Sequence, residues 1–445
     1  MKRRAALGAI SVITAVGTLT ALPVAAHSDD RTPGKHDRLS RIAIARQTLP
    51  KGDGWASSDG GTTGGAAAPR SNVVTVRTRD QLVQAVAGDA PKIVFVAGRI
   101  DANTDANGRQ LTCADYAQGG FTLESYLQAF DPEVWGRDRE PVGPVEDLRR
   151  ASQEAQEEQI TVPIGSNTTL IGLPGSEITG ANLRVDGTSN VIIRGLTITD
   201  AYDCFPAWDP TDGDTGNWNS EYDTLSLTEA SHVWIDHNEF SDGDNPDSEQ
   251  PTYFGRPFQV HDGLIDITNA SDLVTVSYNR LHDHDKTMLI GSSDSRTTDR
   301  GKLRVTIHHN QFRNLGQRVP RVRFGQVDVY NNHYIQREDA PVEYVYSWGV
   351  GVESHIVAER NVFTLPLSIG PEQIIENFRG TRITENGNLV NGRRVDILAA
   401  YNAANDPDLA EVPAFSPLLR RTVHPAVAVP VIVAVHSGPP GLWHR

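Results

Sequence analysis

The sequence lacks the local motifs on which several large protein classes depend. It contains no Gly-rich phosphate loop and no nucleophile elbow, which argues against the common nucleotide-binding loop and the serine hydrolase turn. No EF-hand spacing is present, and no histidine lies at a zinc-ligand spacing supported by cysteine. The histidines interpreted instead as packing residues are His232, His237, His282, His284, His308, His309 and His333.

Cations are scarce relative to acids. The chain has 41 Lys and Arg against 56 Asp and Glu, which gives a formal net charge of -15 at pH 7. Nucleic acids and anionic membranes bind basic surfaces, so this balance argues against both as partners. It is also unfavourable for a polyanionic substrate, unless the site is locally basic or recruits cations.

Cysteine is almost absent, with Cys113 and Cys204 as the two examples. In an oxidising compartment this pair can form a single disulfide. The bond would close a long loop, which is worth roughly 4 to 5 kcal/mol in the chain-entropy model. Two unpaired buried thiols are the alternative.

The N-terminal apolar run is too short to span a membrane. MKRR precedes apolar residues 5–16 and then Val24-Ala25-Ala26, which is the order of a secretory signal peptide cleaved after Ala26. A membrane anchor is the alternative, but Gly17 and the following threonines keep the run below about 20 residues. We therefore expect residues 1–26 to be a signal peptide and the protein to be secreted and extracellular. Residues 27–48, charged and without apolar periodicity, are predicted to be a linker or a short propeptide.

No Pro/Ser-rich tract divides the middle of the chain, which favours one elongated domain over residues 49–400 and a monomer. Thr78-Arg79-Asp80-Gln81 has the spacing of a capping box and predicts a short amphipathic helix that covers the open end of a stacked sheet. The pattern becomes helical over about 111–159, which predicts an insertion. Residues 401–445 are predicted to pack on the domain or to be disordered.

A short repeat is the main organising signal. Alternating apolar residues are followed by Asn, one further residue and an apolar or aromatic residue, at intervals of 22 to 41 residues. The five copies are VWIDHNEF, VTVSYNRL, VTIHHNQF, VDVYNNHY and IVAERNVF, with Asn238, Asn279, Asn310, Asn332 and Asn361. An earlier segment, VIIRGLTI, has Gly195 in place of the asparagine.

This repeat predicts an all-β fold, a parallel β-helix in which each coil adds one unit to a shared core. We expect each asparagine to form the left-handed bend between strands and to hydrogen-bond along a column. A β-sandwich is the alternative, but tight hairpin signals are scarce.

Acidic residues form one candidate site. The densest stretch is 208–223, and HDGLID adds Asp262 and Asp266. Calcium prefers several carboxylate and carbonyl oxygens. A straight strand would hold Asp262 and Asp266 roughly 13 Å apart, so the chain must bend at Gly263 if both bind one ion. From spacing alone, a solvated acidic surface is the simpler interpretation, and a second ion at Asp209, Asp212 or Asp214 stays open.

Basic residues form a second candidate site on later strands. Lys286 lies in DHDK, and RVPRVR supplies Arg318, Arg321 and Arg323. Arg321 and Arg323 flank one apolar residue and so share a strand face, which concentrates positive charge in an acidic protein. From spacing alone, salt bridges to nearby Asp are the simpler interpretation.

Taken together, these segments resemble the pectate lyases of the first polysaccharide lyase family, in the variety common among secreted bacterial enzymes. The resemblance rests on YDCFPAWDPTDGDTGNWNSEYD, VWIDHNEFSDG, HDGLIDITNASDLVTVSYNRLHDHDKTMLIGSSD and RVTIHHNQFRNLGQRVPRVRFGQVDVYNNHY. It is close over about residues 167–363 and looser over 73–162. It implies a right-handed parallel β-helix with Ca²⁺ in a cleft on its side.

The resemblance also implies a reaction and its residues. The reaction is calcium-dependent β-elimination in (1→4)-α-D-galacturonan, or pectate, giving unsaturated oligogalacturonides. By motif position, Arg318 would take the C5 proton, while Lys286 and Arg323 would bind the substrate carboxylate. The implied calcium ligands are Asp223, Asp262 and Asp266.

Three alternatives share this fold. A polygalacturonase would hydrolyse with paired carboxylates and water, without the Lys and Arg set. A pectin lyase acting on methylated polymer should not need calcium. A non-catalytic polysaccharide-binding β-helix would use the same scaffold without a base.

Overall fold

The computed structural model describes residues 35–443, so the predicted signal peptide lies outside the described residues. The helices are α1 (Lys35–Ala45), α2 (Arg79–Val86), α3 (Cys113–Tyr116), α4 (Leu123–Ala129), α5 (Pro132–Trp135), α6 (Pro144–Ile160), α7 (Ile397–Ala404), α8 (Val429–His436) and α9 (Pro439–Trp443). The fold discussed below is that of residues 43–443.

Most strands within 43–443 belong to three long sheets, here called sheets A, B and C. Sheet A contains, in spatial order, Val73–Val76, Lys92–Val96, Thr168–Gly172, Ser189–Arg194, Ser231–Asp236, Asp272–Ser277, Arg304–His308, Gln326–Tyr330, His355–Glu359, Arg382–Asn386 and Ala410–Glu411. Sheet B contains Arg99–Asp101, Glu177–Thr179, Thr197–Thr199, Glu239–Ser241, Arg280–Lys286, Gln311–Gln317, His333–Ile335, Val362–Thr364, Leu389–Val390 and Arg393–Arg394. Sheet C contains Thr161–Pro163, Asn182–Asp186, Leu225–Thr228, Ile265–Thr268, Leu289–Ile290, Arg321–Val322, Trp348–Gly351 and Ile375–Phe378.

Two small antiparallel ribbons lie outside these sheets. They pair Ala207–Asp209 with Asn217–Asn219, and Thr252–Tyr253 with Arg256–Pro257.

Spatial order follows chain order in all three sheets, and the pairing is parallel except at Arg393–Arg394. In sheet A, Val233 pairs with Val191 and Val274, so like residues stack on like along the coils. These three side chains have no exposed surface. Burying an aliphatic side chain is worth about 1.5 to 3 kcal/mol, and each added coil extends the same apolar column. The predicted right-handed parallel β-helix is confirmed.

The asparagine column exists, but the predicted bend is displaced by one residue. Asn279 Nδ2 donates to Asn310 Oδ1 over 3.0 Å and to the Ile235 carbonyl over 3.0 Å, and the pattern repeats from Asn238 to Asn388. The left-handed conformation belongs to the residue before each asparagine, such as Tyr278 at φ 53°. The assignment of that bend to asparagine was therefore wrong, because the amide must point inward along the column while its predecessor turns the chain.

The segment at Gly195 shows the same offset. Gly195 has φ 68° and so occupies the bend, not the asparagine position. Leu196 follows it, and its backbone N–H donates to Asn238 Oδ1 over 3.1 Å. Leu196 is therefore the first residue of the column, with an apolar side chain in place of the amide.

Helix α2 covers one end of the core, as predicted. The Thr78 hydroxyl accepts from the Gln81 N–H and caps the helix, while Leu82 and Val86 are fully buried in the main core. Because the strand Val73–Val76 is the first of sheet A, this helix shields the apolar interior that an open coil would expose.

Helices α3 to α6 form the predicted helical insertion, and it has its own aromatic core. Phe130 packs on Tyr126 with ring centroids 4.8 Å apart, and Trp218 lies 6.1 Å from Tyr126. A disulfide joins Cys113 of the insertion to Cys204, with the two Cα atoms 5.3 Å apart. The disulfide therefore links the insertion to the segment just before the acidic stretch 208–223.

The C-terminal segment packs on the solenoid. Arg420 Nε donates to Asp328 over 2.9 Å, and Val429 and Val433 of α8 lie in a cluster with Val362 of sheet B. Within residues 35–443, the helices are too short or too polar to cross a bilayer.

Residues 27–48 were predicted to be a linker or a short propeptide. The described part contains α1, which ends at Ala45, and Ala45 itself is fully buried. Arg46 donates to the Ala68 carbonyl over 2.7 Å. The interpretation as a propeptide or linker stays a prediction.

Candidate active site

The residues singled out by motif lie on neighbouring coils at the corner between sheets B and C. Lys286 ends the strand Arg280–Lys286, pairs with Gln317 on the next coil and forms a bridge to Gly263 on the preceding side. Arg318 follows Gln317 directly. Since neighbouring coils are about 4.8 Å apart, a polymer along the solenoid axis could touch several of these residues at once.

Asp223 and Asp266 point at the same small space beside Gly263. A Cβ atom built on Gly263 would meet Asp266 Oδ1 at 2.6 Å and Asp223 Oδ1 at 2.7 Å. Asp223 accepts from the Gly263 N–H over 2.9 Å and from the Ser226 hydroxyl over 2.7 Å. Asp266 accepts from the Leu289 N–H over 3.0 Å. Glycine is therefore required here, because a side chain would displace both carboxylates.

The two carboxylates repel one another in a buried place. Burial, followed by the charge of Asp262, raises the pKa of Asp223 to about 7, against its Ser226 hydrogen bond. Burial and the charges of Asp223 and Asp262 raise the pKa of Asp266 well above its usual range. Two acids held together at this cost need a compensating positive charge.

Asp262 lies beside this pair but is oriented differently. Its Oδ1 is 3.5 Å from Lys286 Nζ, and its side chain is 30% exposed. The bend that the sequence placed at Gly263 occurs at Leu264, just before the strand Ile265–Thr268. No group of three His, Cys, Asp or Glu side chains within the described residues is already arranged to hold a metal ion.

The donor set nevertheless fits a hard cation. Asp223 and Asp266 offer carboxylate oxygens separated only by the space over Gly263, and Ca²⁺ completes its shell of 6 to 8 oxygens readily with water or substrate. Asp262 would complete the protein's share if it left Lys286, which a bound cation would favour by attraction. Calcium would also relieve the repulsion that raises the two pKa values.

Arg318 stands next to these acids in an unusual conformation. It is half-buried with φ 58°, a region that non-glycine residues seldom occupy. Its Nε atom is buried and has no hydrogen-bond partner among residues 35–443. Its positive charge partly offsets the rise in the pKa values of Asp223 and Asp266.

Arg323 is more strongly paired than a free substrate-binding group would be. Its Nε donates to Asp294 Oδ1 over 2.6 Å, and its Nη1 donates to the Gly291 carbonyl over 2.8 Å. Asp294 also pairs with Arg379. The structure thus keeps Arg323 in the cluster but gives it an acidic partner, in the SSD run, that the sequence did not assign to it.

Arg321 was assigned no role, although it completes the cluster. Its guanidinium lies 3.7 Å from the Phe378 ring centre, and its Nε has no hydrogen-bond partner among the described residues. Burial and the charge of Arg323 lower the pKa of Arg321 to about 10. Arg321 and Arg323 therefore add positive charge to a corner that also holds the acids.

Alternating glycines on the next strand make room for these arginines. In Trp348–Gly351 the buried Trp348 and Val350 point into the core, while a Cβ on Gly349 would lie 2.9 Å from Arg321 Cγ. A Cβ on Gly351 would lie 3.1 Å from Arg323 Cγ. The WGVG pattern was a sequence signal for long side chains lying across this strand.

A second buried cation lies on the other side of the solenoid, in sheet A. Arg194 Nη2 donates to Asp236 Oδ2 over 2.6 Å, and its Cζ lies 4.6 Å from the Trp234 ring centre. Ser277 donates to Asp236 over 2.9 Å and accepts from Trp234 Nε1 over 2.9 Å. The partners in these contacts all lie within the protein, so the WIDH segment has a structural packing role.

Comparisons with known proteins agree with this architecture. The family model described as Pectate lyase matches residues 39–125 and 146–427. A pectate lyase of Bacillus subtilis (strain 168) is 44% identical over 362 residues, 80% of this chain and 86% of that protein. Pectate lyase E of Dickeya chrysanthemi is 33% identical over 90% of this chain and 86% of its own length.

Solved structures are similar over almost their whole length. A thermostable pectate lyase, PL 47, superposes with a TM-score of 0.87 at 43% identity, covering 89% of this chain and 99% of that one. A pectate lyase bound to a hexasaccharide gives a TM-score of 0.85 at 41% identity with the same coverage. Because its sequence and its coils both match, this chain belongs to the pectate lyase family.

Proposed function

We propose that this protein cleaves pectate by calcium-dependent β-elimination, with Arg318 as the base. The observation that carries the proposal is the convergence of two buried carboxylates, Asp223 and Asp266, with Lys286 and Arg318 on adjacent coils. This juxtaposition combines an anionic cation-binding corner with cations that can face a sugar acid. The relatives named above, one of them holding a hexasaccharide, act in support.

The chemistry explains why both signs of charge are needed. Elimination removes the proton on C5, α to a carboxylate, and expels the glycosidic oxygen on C4, leaving a double bond. Negative charge accumulates on a group that is already anionic, so the C5–H group is a weak acid. Lys286 and Arg323 would bind that carboxylate and stabilise the added charge, and every 1.36 kcal/mol they supply is about tenfold in rate.

Asp223, Asp262 and Asp266 would hold the calcium ion. When bound, calcium would supply Lewis-acid stabilisation of the substrate carboxylate. Asp262 would exchange its contact with Lys286 for the ion, which would release the Lys286 ammonium for substrate. The acidic net charge is then compatible with an acidic polymer.

Arg318 must be neutral before it can accept the C5 proton. A guanidinium is normally protonated throughout the accessible pH range. Proton transfer to a guanidine requires its neutral form, whose fraction grows as the pH rises. We therefore expect activity to rise above neutral pH.

The substrate class, location and assembly complete the proposal. We infer that unmethylated polygalacturonate of plant cell walls is the polymer, and that the protein acts outside the cell as a monomer. The signal-like N-terminus and the acidic charge support secretion and argue against nucleic-acid and membrane partners.

The test is incubation with unmethylated polygalacturonate, with and without calcium. Products that absorb in the ultraviolet through a C4–C5 double bond would support elimination. Saturated products would instead identify a polygalacturonase, and cleavage of fully methylated polymer without calcium would identify a pectin lyase. Binding without product would indicate a polysaccharide-binding protein.

A further inference from the structure

A buried network of imidazoles and carboxylates lies directly behind Lys286. His284, two residues earlier on the same strand, is 1% exposed, and its Nε2 lies 3.1 Å from the Lys286 carbonyl oxygen. Its Nδ1 lies 2.5 Å from Asp242 Oδ1, on the neighbouring coil of sheet B. His284 therefore links the preceding coil to the backbone of Lys286.

The geometry fixes the protonation state of this ring. A backbone carbonyl can only accept a hydrogen bond, and an ionised carboxylate can only accept as well. Both ring nitrogens of His284 must then donate, so the ring is an imidazolium. Burial opposes this charge, but Asp242 outweighs the effect and raises the pKa of His284, in agreement with the geometry.

Asp242 also lies near the residues proposed to bind calcium. Asp242 Oδ2 lies 3.8 Å from Nδ1 of His261, the residue just before Asp262. His261 is itself held between Asp200 and Asp247, each 3.1 Å away. One buried network thus supports the chain on both sides of the contact between Lys286 and Asp262.

We propose that His284 is a positioning residue, which aims the Lys286 ammonium at the substrate by fixing the Lys286 backbone to Asp242. The ring touches neither the substrate corner nor the reacting atoms, so it acts through Lys286. This inference rests on the proposed elimination reaction and deepens it. An imidazolium that donates two charge-assisted hydrogen bonds holds the backbone more rigidly than a neutral ring would.

Two substitutions separate the two halves of the brace. His284→Gln places an amide N–H near the Nε2 position, so the bond to the Lys286 carbonyl is kept and the bond to Asp242 is lost. His284→Asn places its N–H near the Nδ1 position and keeps only Asp242. We expect kcat on polygalacturonate to fall roughly tenfold in both variants with KM little changed, because each one breaks the link between Asp242 and the Lys286 backbone.

His282 provides the matched control on the same strand. Its ring also bridges two carboxylates, Asp283 at 2.7 Å and Glu239 at 3.1 Å, but does not contact Lys286. His282→Asn and His282→Gln should lower thermal stability while leaving kcat within about twofold of the wild type.

A double-mutant cycle with Lys286→Ala gives the decisive readout. If His284 acts through Lys286, His284→Asn added to Lys286→Ala should cost no more than about twofold further. A full additional tenfold loss in the double mutant, or a kcat within about threefold of the wild type in either single variant, would overturn the inference. Should His284→Asn fail to fold, Asp242→Asn takes its place in the cycle with the same expectation of non-additivity. Failure of the proposed function itself would be seen separately, as absence of unsaturated product from the wild type.

Discussion

Two arginine clusters on opposite sides of the solenoid differ in how their charges are satisfied. On sheet A, Arg194 and Asp236 form a 2.6 Å ion pair that is 1% exposed on both side chains. At the corner of sheets B and C, Arg318 and Arg321 are half-buried, and the Arg321 guanidinium lies over the Phe378 ring, 3.7 Å from its centre. The acids nearest to Arg318 repel one another and have raised pKa values.

This difference teaches how to separate structure from function in an acidic β-helix. A buried pair with complementary hydrogen bonds stabilises one packing arrangement, whereas like charges held together destabilise the free protein. The second arrangement persists only if a ligand compensates for it. Motif density alone would not distinguish the two, because both clusters lie in equally recognisable segments.

The largest expected effect is on the base. Arg318→Lys keeps a positive charge but changes the proton acceptor, so kcat should fall roughly 10²- to 10⁴-fold. Circular dichroism and calcium binding should stay unchanged. Near-wild-type turnover in a folded, calcium-binding variant would show that Arg318 is not the base.

The next effect concerns the acidic corner. Chelation should lower activity at least about 100-fold, and added calcium should restore it, since the ion offsets the repulsion of Asp223 and Asp266. Asp266→Asn should weaken calcium binding measured by titration calorimetry. Full activity in excess chelator would contradict the calcium assignment.

On sheet A the expected effect is on stability rather than on catalysis. Asp236→Asn leaves Arg194 buried without a counter-charge, so the free energy of unfolding should fall by about 3 to 5 kcal/mol while kcat of the folded enzyme stays unchanged. Denaturant unfolding measures the first quantity and steady-state kinetics the second. A lower kcat in the folded fraction would show that the Arg194–Asp236 pair also affects catalysis.

Asp236 also predicts that the protein loses stability at acidic pH. Burial opposes ionisation of Asp236, but His237 and Arg194 outweigh it and hold its pKa well below the usual range. A depressed folded-state pKa stabilises the fold above the unfolded pKa, and this contribution is lost as pH falls through the folded value. Unfolding free energy should therefore fall below about pH 4 in the wild type, and this part of the slope should disappear in Asp236→Asn.

The smallest expected effect concerns Gly349, in the strand Trp348–Gly351. Gly349→Ala would crowd the Arg321 stem at 2.9 Å, so we expect a rise of about two- to fivefold in KM and little loss of stability. In an Arg321→Met background the same change should have less effect, because the flexible thioether chain adapts. Equal effects in both backgrounds would show that Gly349 does not act through Arg321.

Much of the fold follows from local sequence. The alternating strands, the asparagine column and helix α2 were predictable because period-two burial and capping are properties of a few adjacent residues. The bend before each asparagine was assigned to the wrong residue, since Asn and its predecessor are equally polar in several coils. Helix α1 was missed because a charged, weakly periodic segment resembles a linker.

The sequence named residues that the structure brings together, but it did not give their partners. Asp223, Asp266, Lys286 and Arg318 come from motifs far apart in the chain, and the family resemblance selected them. The contacts of Arg323 with Asp294 and of Lys286 with Asp262 cross coils, so no spacing in the sequence specifies them.

By itself, the sequence determined the coil, because each repeat carries its own inward apolar residues and its own amide for the column. Only the tertiary structure decided which charges meet, since loops of unequal length set the order in which distant side chains reach one corner. Short-range patterns encode burial, whereas electrostatic partnership depends on distances that exist only after the coils have stacked.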